Sequence, residues 1–216
     1  MWLFGDSILD NSYWNGVEKN MTSEQLKKIL PNVEVRDRSA ERQDSLTMLN
    51  CLQKDETYQV LDHYVRHRND IEIPYDDAPT GAVHLNPEFG PKDFLVLSVG
   101  GNDFALRHET NPTIILGYVR QIIEFYKSKG ILPSRIIYFT PYPPTGFMKF
   151  AVRLTCKNLD NLYHQFIEEA EAMCAEEGVT CIPLDFFGDD EKAVDTGRTL
   201  IPEPTPYGAW KLASMI

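Results

Sequence analysis

The sequence predicts an α/β fold in which a five-stranded parallel sheet carries helices on both faces. Short apolar runs alternate along the chain with longer segments of helical period, as they do in strand–helix–strand units. These runs are almost continuously apolar, which is typical of parallel strands buried on both faces. The strands are predicted in segments 1–4, 33–35, 94–99, 136–139 and 179–184.

The helices between these strands follow from a 3.6-residue spacing of apolar side chains and from terminal signals. Thr22 and Gln25 form a capping box, and Pro31 ends the helix that they begin. Thr205-Pro206 places a cap and a first-turn proline before the last helix. The other helices are predicted across 46–52, 58–64, 110–129 and 159–176.

Residues 69–92 are rich in proline and glycine and have no sustained period. Unstructured connections of this length are uncommon inside compact domains and are often functional. Ile71, Ile73 and Tyr75 alternate with polar residues, so a short strand or hairpin is possible there. The stretch is interpreted as a long loop insertion, either a lid beside the site or a surface insertion.

Length and composition indicate one domain over residues 1–216, with 43% hydrophobic residues to build a core. A net charge of −11 disfavours nucleic acid and anionic membranes as partners. We expect a cytoplasmic protein, since Met1 opens directly on the first strand and no basic segment precedes it. The four cysteines show no CxxC spacing and are expected to be free thiols.

Small polar residues follow two of the predicted strands. Gly5-Asp6 interrupts the first apolar run, and Ser7 comes directly after it. The run Val96–Val99 is followed by Gly100-Gly101-Asn102-Asp103. Open α/β sheets bind ligands at the carboxyl ends of their strands, so both stretches are expected at one functional edge.

Together these stretches resemble the SGNH (GDSL-type) hydrolase family. Gly5-Asp6-Ser7 matches the first sequence block of that family, and Gly100-x-Asn102-Asp103 matches its third block. The resemblance covers the whole chain and implies a flavodoxin-like sheet with strand order 2-1-3-4-5. It also implies that Ser7 is the nucleophile and that the Asn102 amide and the Ser7 backbone N–H stabilise the oxyanion.

Two blocks depart from the family pattern. The glycine of the second block, whose backbone N–H faces the oxyanion, falls within 38–42, where this chain has no glycine. Ser39 is the best stand-in there. In the last block, Glu203 occupies the position of the catalytic histidine, and Leu200 occupies that of the aspartate.

A serine hydroxyl is a weak nucleophile without an adjacent base, so the identity of the base stays open. Glu203 is one candidate, because burial would raise the pKa of its carboxyl. His108, five residues after Asp103, is the best-placed histidine, and His84 in the long loop is the next. Glu203 could instead serve only as a carboxylate favoured near the start of a helix.

Two functions are compatible with these residues. The first is a cytoplasmic serine hydrolase, an esterase or acylhydrolase acting on a small-molecule ester. The second is a weak or inactive SGNH-fold protein that binds a small ligand. No cofactor or metal is expected, since the sequence contains no HExxH motif and no cluster of histidine and cysteine. The predicted site comprises Ser7, Asn102 and Glu203, lined by Asp6, Ser39, Gly100, Gly101 and Asp103.

Overall fold

A computed structural model of the chain describes residues 1–6, 8–9, 22–40, 43–59, 82–143, 159–184, 194–195 and 203–216. In chain order its strands are β1 (Trp2–Gly5), β2 (Arg36–Asp37), β3 (Tyr58–Gln59), β4 (Ala82–Val83), β5 (Leu95–Ser98), β6 (Ile136–Phe139), β7 (Thr180–Ile182), β8 (Val194–Asp195) and β9 (Glu203–Pro204). Its α-helices are α1 (Thr22–Ile29), α2 (Ser45–Lys54), α3 (Gly101–Ala105), α4 (Pro112–Ser128), α5 (Leu159–Glu177) and α6 (Pro206–Ala213).

The main sheet is parallel, and its strand order is β2-β1-β5-β6-β7. Numbered by their order within this sheet, the strands run 2-1-3-4-5, which confirms the predicted architecture. Leu3 lies opposite Val96, and Val96 lies opposite Ile137, so the three central strands are in register. The carboxyl ends of these three strands therefore lie together at one edge.

Alternate residues of β1 pack into two separate cores, one on each face of the sheet. Phe4 lies in the core that α2, α4 and α5 cover, together with Leu97 and Ile122. Leu3 faces the opposite way, where it packs with Val96 and with side chains of α1 and α6. This alternation explains why the strands are apolar throughout, because each of their faces is covered by helices.

Terminal residues set the helix boundaries as the sequence predicts. Asn111 caps α4 by accepting a hydrogen bond from the Thr113 N–H, and Pro112 occupies the first turn. Thr205 caps α6 by accepting a hydrogen bond from the Gly208 N–H at 3.1 Å. Gly178, at a φ of +70°, ends α5 in the left-handed conformation that glycine adopts without strain.

Two predicted elements have other bounds in the structure. Tyr58 and Gln59 lie in β3, which pairs antiparallel with β4, and the remainder of the predicted helix, 60–64, lies outside the described residues. The second strand of the sheet is Arg36–Asp37 rather than 33–35, since the Arg36 N–H donates to the Met1 carbonyl. This edge strand tolerates polar residues because only one neighbour pairs with it.

Part of the long predicted loop packs against the core. Leu85 is buried, and its carbonyl accepts a hydrogen bond from the buried Tyr126 hydroxyl at 3.0 Å. The Phe89 ring contacts the rings of Trp2 and Phe4. Residues 82–92 therefore belong to the packed structure. The short strand or hairpin predicted within 69–81 lies outside the described residues.

Three cysteines, Cys51, Cys174 and Cys181, are free thiols as predicted, and Cys156 lies outside the described residues. None of the helices that the structure describes has the length and apolar character needed to cross a membrane.

Candidate active site

Three loops meet where β1, β5 and β6 end. The Asp6 N–H donates to the Ser98 carbonyl at 2.9 Å, which continues the pairing of β1 with β5. A Cβ atom placed on Gly101 would lie 3.2 Å from the Pro141 Cβ and 3.7 Å from Asp6 Oδ2. The first and third sequence blocks are therefore neighbours in space at the carboxyl edge of the sheet, where open α/β folds bind ligands.

Asp6 is buried directly beneath this edge, with 2% of its surface exposed. Its Oδ1 accepts a hydrogen bond from the Ile8 N–H at 3.1 Å and lies 3.4 Å from the Ser98 hydroxyl. Burial raises the pKa of Asp6 to about 7, although the hydrogen bonds from Ile8 and Ser98 act to lower this pKa. A carboxyl group that can be neutral near pH 7 thus lies in the turn that follows β1.

Gly5 is required by the close approach of β1 to β5. Its φ is +148°, and a Cβ atom at this position would lie 2.1 Å from the Ser98 carbonyl oxygen. The Gly5 carbonyl accepts a hydrogen bond from the Ala40 N–H at 2.7 Å, which attaches the loop after β2 to the end of β1. The shape of this corner therefore depends on a residue without a side chain.

Gly100 allows the chain to turn from β5 into α3. It adopts a φ of +121°, and a Cβ atom here would lie 3.2 Å from the Phe166 ring and 3.4 Å from the Tyr138 hydroxyl oxygen. Gly101 is the first residue of α3. Asn102 and Asp103 are consequently presented on the first turn of a short helix, directly above the end of β5.

The Asn102 side chain is oriented by the loop that follows β2. Its Nδ2 donates to the Gln43 carbonyl oxygen at 3.2 Å. An amide nitrogen carries two hydrogens, and among the described residues no acceptor binds the second hydrogen of Nδ2, so it can bind a ligand. Such a fixed donor at a sheet edge suits an oxyanion hole.

Asp103 binds the start of α2. It is fully buried, and its two carboxylate oxygens accept hydrogen bonds from the N–H and the hydroxyl of Ser45. Burial raises the pKa of Asp103, against the two Ser45 bonds and the Arg107 guanidinium that lower it. Arg107 Nη1 also lies 3.2 Å from Asp44 Oδ1. Asp103 thus joins the third block to the loop after β2.

Ser39 lies in the same loop, but both of its donors are engaged. Its backbone N–H donates to Asp37 Oδ1 at 2.9 Å, and its hydroxyl donates to the same oxygen. Burial raises the pKa of Asp37, against these bonds from Ser39 that lower it. Ser39 as a stand-in for the second-block glycine stays a prediction. In the structure its N–H and its hydroxyl both bind Asp37, so either donor would have to leave Asp37 to bind an oxyanion.

Ser7, the predicted nucleophile, lies outside the described residues. Glu203 lies in β9, two residues before the Thr205 cap of α6, and its backbone pairs with that of Asp195 in β8. The Glu203 side chain lies outside the described part of the structure. The convergence of Ser7 and Glu203 on Asn102 therefore stays a prediction.

The two candidate histidines occupy different places. His108 is exposed in the loop after α3 and has a left-handed φ of +56°, and the next residue, Glu109, donates its N–H to the Asp103 carbonyl. His84 is exposed beside Asn86, whose side chain binds Asp55 at the carboxyl end of α2. Since α2 begins at the site and is about 15 Å long, the structure does not bring His84 to the strand ends.

Sequence reasoning missed Gln43 and Ser45 as parts of this site. The pair Asp44-Ser45 carries a helix-cap signal, and Asp44 does cap α2 by accepting from the Thr47 N–H. A cap signal predicts where a helix starts, but it does not predict that the first residue of the helix, Ser45, will bind the Asp103 carboxylate.

Comparison with solved structures finds the same fold in known esterases. No protein-family model and no curated protein matches the sequence. A lipolytic G-D-S-L family protein from Veillonella parvula superposes with a TM-score of 0.61 at 16% identity, over 99% of this chain and 93% of that chain. The acetyl xylan esterase AlAXEase superposes with a TM-score of 0.59 at 14% identity, over 99% and 96%. An aryl esterase from M. smegmatis gives 0.56 at 11% identity, over 99% and 96%.

Proposed function

We propose that this chain, which has the fold of the SGNH (GDSL-type) hydrolases, is a serine esterase that cleaves a small-molecule ester. The observation that carries this proposal is the Asn102 amide, held by the Gln43 carbonyl with one N–H to spare at the carboxyl edge of the sheet. The likeness to a lipolytic protein, an acetyl xylan esterase and an aryl esterase supports ester hydrolysis.

In the proposed reaction, the Ser7 hydroxyl attacks the ester carbonyl carbon while a base accepts its proton. The carbonyl oxygen becomes an oxyanion, and the Asn102 N–H stabilises it. Collapse of this intermediate breaks the bond to the alcohol, which leaves with a proton returned by the same base. Water then attacks the acyl-serine in the same way and releases the acid.

Glu203 is the base that we propose, and His108 is the alternative. Glu203 stands where the family has its histidine, and α6 begins three residues later. His108 belongs to the loop that is bonded to the backbone of Asp103. A carboxylate base needs a pKa near the working pH, which a desolvated position would provide.

Hydrolysis of a short-chain aryl ester tests the proposal, measured for wild type and for Ser7→Ala, Glu203→Gln and His108→Ala. We expect slow turnover by wild type and none above background by Ser7→Ala. An equal loss in Glu203→Gln identifies Glu203 as the base, whereas an equal loss in His108→Ala identifies His108. If Ser7→Ala hydrolyses the ester as fast as wild type, the esterase proposal is wrong, and a ligand-binding role would have to replace it.

Asn102→Ala tests the oxyanion contact separately. Removal of one oxyanion donor lowers kcat by about 10²–10³-fold in well-studied hydrolases, with less effect on KM. We expect a loss of this size here. A kcat equal to that of wild type would remove Asn102 from the mechanism.

A further inference from the structure

Gln43 buries a primary amide that has no visible use in the fold. Its side chain is fully buried, and among the described residues neither Oε1 nor Nε2 has a hydrogen-bond partner. Buried polar groups are nearly always paired, because an unpaired donor or acceptor has lost its water without compensation. Such a group calls for an explanation, and a functional site is one place where it is found.

The position of Gln43 connects it to the candidate active site. Its own carbonyl oxygen is the acceptor for Asn102 Nδ2. Two residues later, Ser45 donates both its hydrogen bonds to Asp103. The loop that carries Gln43 is therefore bonded to both polar residues of the third block.

The backbone N–H groups of this loop are already engaged. The Arg38 N–H donates to the Leu3 carbonyl, the Ala40 N–H to the Gly5 carbonyl and the Gln43 N–H to the Ala40 carbonyl. The Ser39 N–H donates to Asp37. These backbone N–H groups of the described part of the loop therefore already have acceptors, and none of them is free to be a second oxyanion donor. Two buried side-chain donors of this loop, Arg38 Nε and Gln43 Nε2, have no partner among the described residues, and only Gln43 also binds Asn102 through its carbonyl.

We propose that the side-chain amide of Gln43 donates a hydrogen bond to the oxyanion, as the partner of Asn102, where the related family uses a glycine N–H. This inference rests on the proposed esterase function. It accounts for the missing glycine of the second block, because the loop without that glycine carries an unpaired buried amide on the residue whose backbone carbonyl binds Asn102. In the ground state the amide is unpaired, and only the developing oxyanion satisfies it, which is how a donor favours the transition state.

Gln43→Met is the test, because methionine keeps the length of the side chain and removes both polar atoms. We expect kcat for the aryl ester to fall by about 10-fold to 10³-fold with KM little changed, while the midpoint of thermal unfolding stays level or rises. Gln121→Met is the matched control, since Gln121 is exposed on α4 and, within the described part of the chain, its side chain binds only the Gly117 carbonyl. It should keep the kcat of wild type.

A rise in the unfolding midpoint with an unchanged kcat would overturn the proposal, because the amide would then be only an unpaired buried group. If Gln43→Met does not fold, NMR of the wild-type protein replaces it. A phosphonate that binds covalently to Ser7 should shift the Gln43 side-chain NH₂ resonances, and unshifted resonances would refute the contact. If the wild-type protein does not hydrolyse the ester, the esterase proposal itself is wrong. If the wild-type protein hydrolyses the ester through Ser7 and Gln43→Met has the same kcat, the esterase proposal stands and only the role of Gln43 is refuted.

Discussion

Ser45 donates its backbone N–H and its hydroxyl to the two carboxylate oxygens of Asp103, each at 2.8 Å. The two residues are 58 positions apart, and both are fully buried. Ser45 is the first residue of α2, and Asp103 lies in the first turn of α3. The contact therefore fixes the start of α2 against α3, the helix that carries Asn102.

Ser45→Ala should lower the free energy of unfolding by about 1.5–3 kcal/mol, since it removes a buried hydrogen bond to a charged group. Urea unfolding followed by circular dichroism measures this loss. Ser128→Ala is the matched control, because the exposed Ser128 hydroxyl donates to the Phe125 carbonyl of its own helix and to no other residue that the structure describes. We expect a change within about 0.5 kcal/mol for this control. Equal effects of the two substitutions would contradict the importance given to the Asp103 contact.

Gly5→Ala should prevent folding or cost more than about 4 kcal/mol, which is exceptional for a single substitution. The added Cβ would lie 2.1 Å from the Ser98 carbonyl oxygen, and a backbone atom between two paired strands has no room to move. The positive φ of Gly5 adds backbone strain. Soluble yield and the thermal unfolding midpoint measure the effect. A well-folded Gly5→Ala protein would show that β1 and β5 are further apart than described.

Gly117→Ala, the same substitution within α4, should act in the opposite direction. Nothing lies within 4 Å of a Cβ atom at this position apart from the backbone of the helix itself. Alanine is favoured over glycine in a helix interior by about 0.5–1 kcal/mol, since the unfolded glycine has more conformational freedom to lose. We expect a gain of that size in the same urea measurement. A loss would mean that the neighbouring helix packs more closely on Gly117.

The elements that sequence reasoning predicts well are those whose signals are local. The apolar runs of β1, β5 and β6 lie within a residue of their predicted positions, and α4 begins at Pro112 with its cap one residue before. The edge strand begins one residue after the predicted segment, because Val35 is buried in the core beside α1 and α6 while Arg36 and Asp37 pair with β1. Register at an edge depends on one neighbouring strand, which a pattern of side chains does not reveal.

The site was predictable only in part for the same reason. Gly100 to Asp103 form a continuous motif, so they could be recognised together. Gln43 and Ser45 belong to the site through contacts across 58 or 59 positions, which no local period encodes. Ser39 is predicted to stand in for the missing glycine, but Asp37 accepts hydrogen bonds from both of its donors, a contact that only the folded loop shows.

Asp6 should make the stability of the protein fall as the pH rises from 4 to 8. The ordinary pKa of an aspartate is 3.8, and burial raises that of Asp6 to about 7. Below pH 3.8 the carboxyl is protonated in both states, so it contributes no pH dependence. Between the two values the unfolded chain releases the proton while the folded protein keeps it, and folding becomes less favourable with rising pH. Above about pH 7 this loss is complete.

Asp6→Asn should abolish this part of the pH dependence, because the amide keeps the acceptor for the Ile8 N–H and carries no charge at any pH. The free energy of unfolding, measured in urea at pH 4, 6 and 8, should become larger for the variant than for wild type, and this difference should grow as the pH rises. By pH 8 its advantage should have grown by an amount on the order of 4 kcal/mol, since each pKa unit corresponds to about 1.4 kcal/mol. Asp55→Asn is the matched control and should follow the wild-type profile. Asp55 is exposed and ends α2 in a left-handed conformation that asparagine also adopts. Parallel profiles for wild type and Asp6→Asn would show that Asp6 ionises in the folded protein as it does in the unfolded chain.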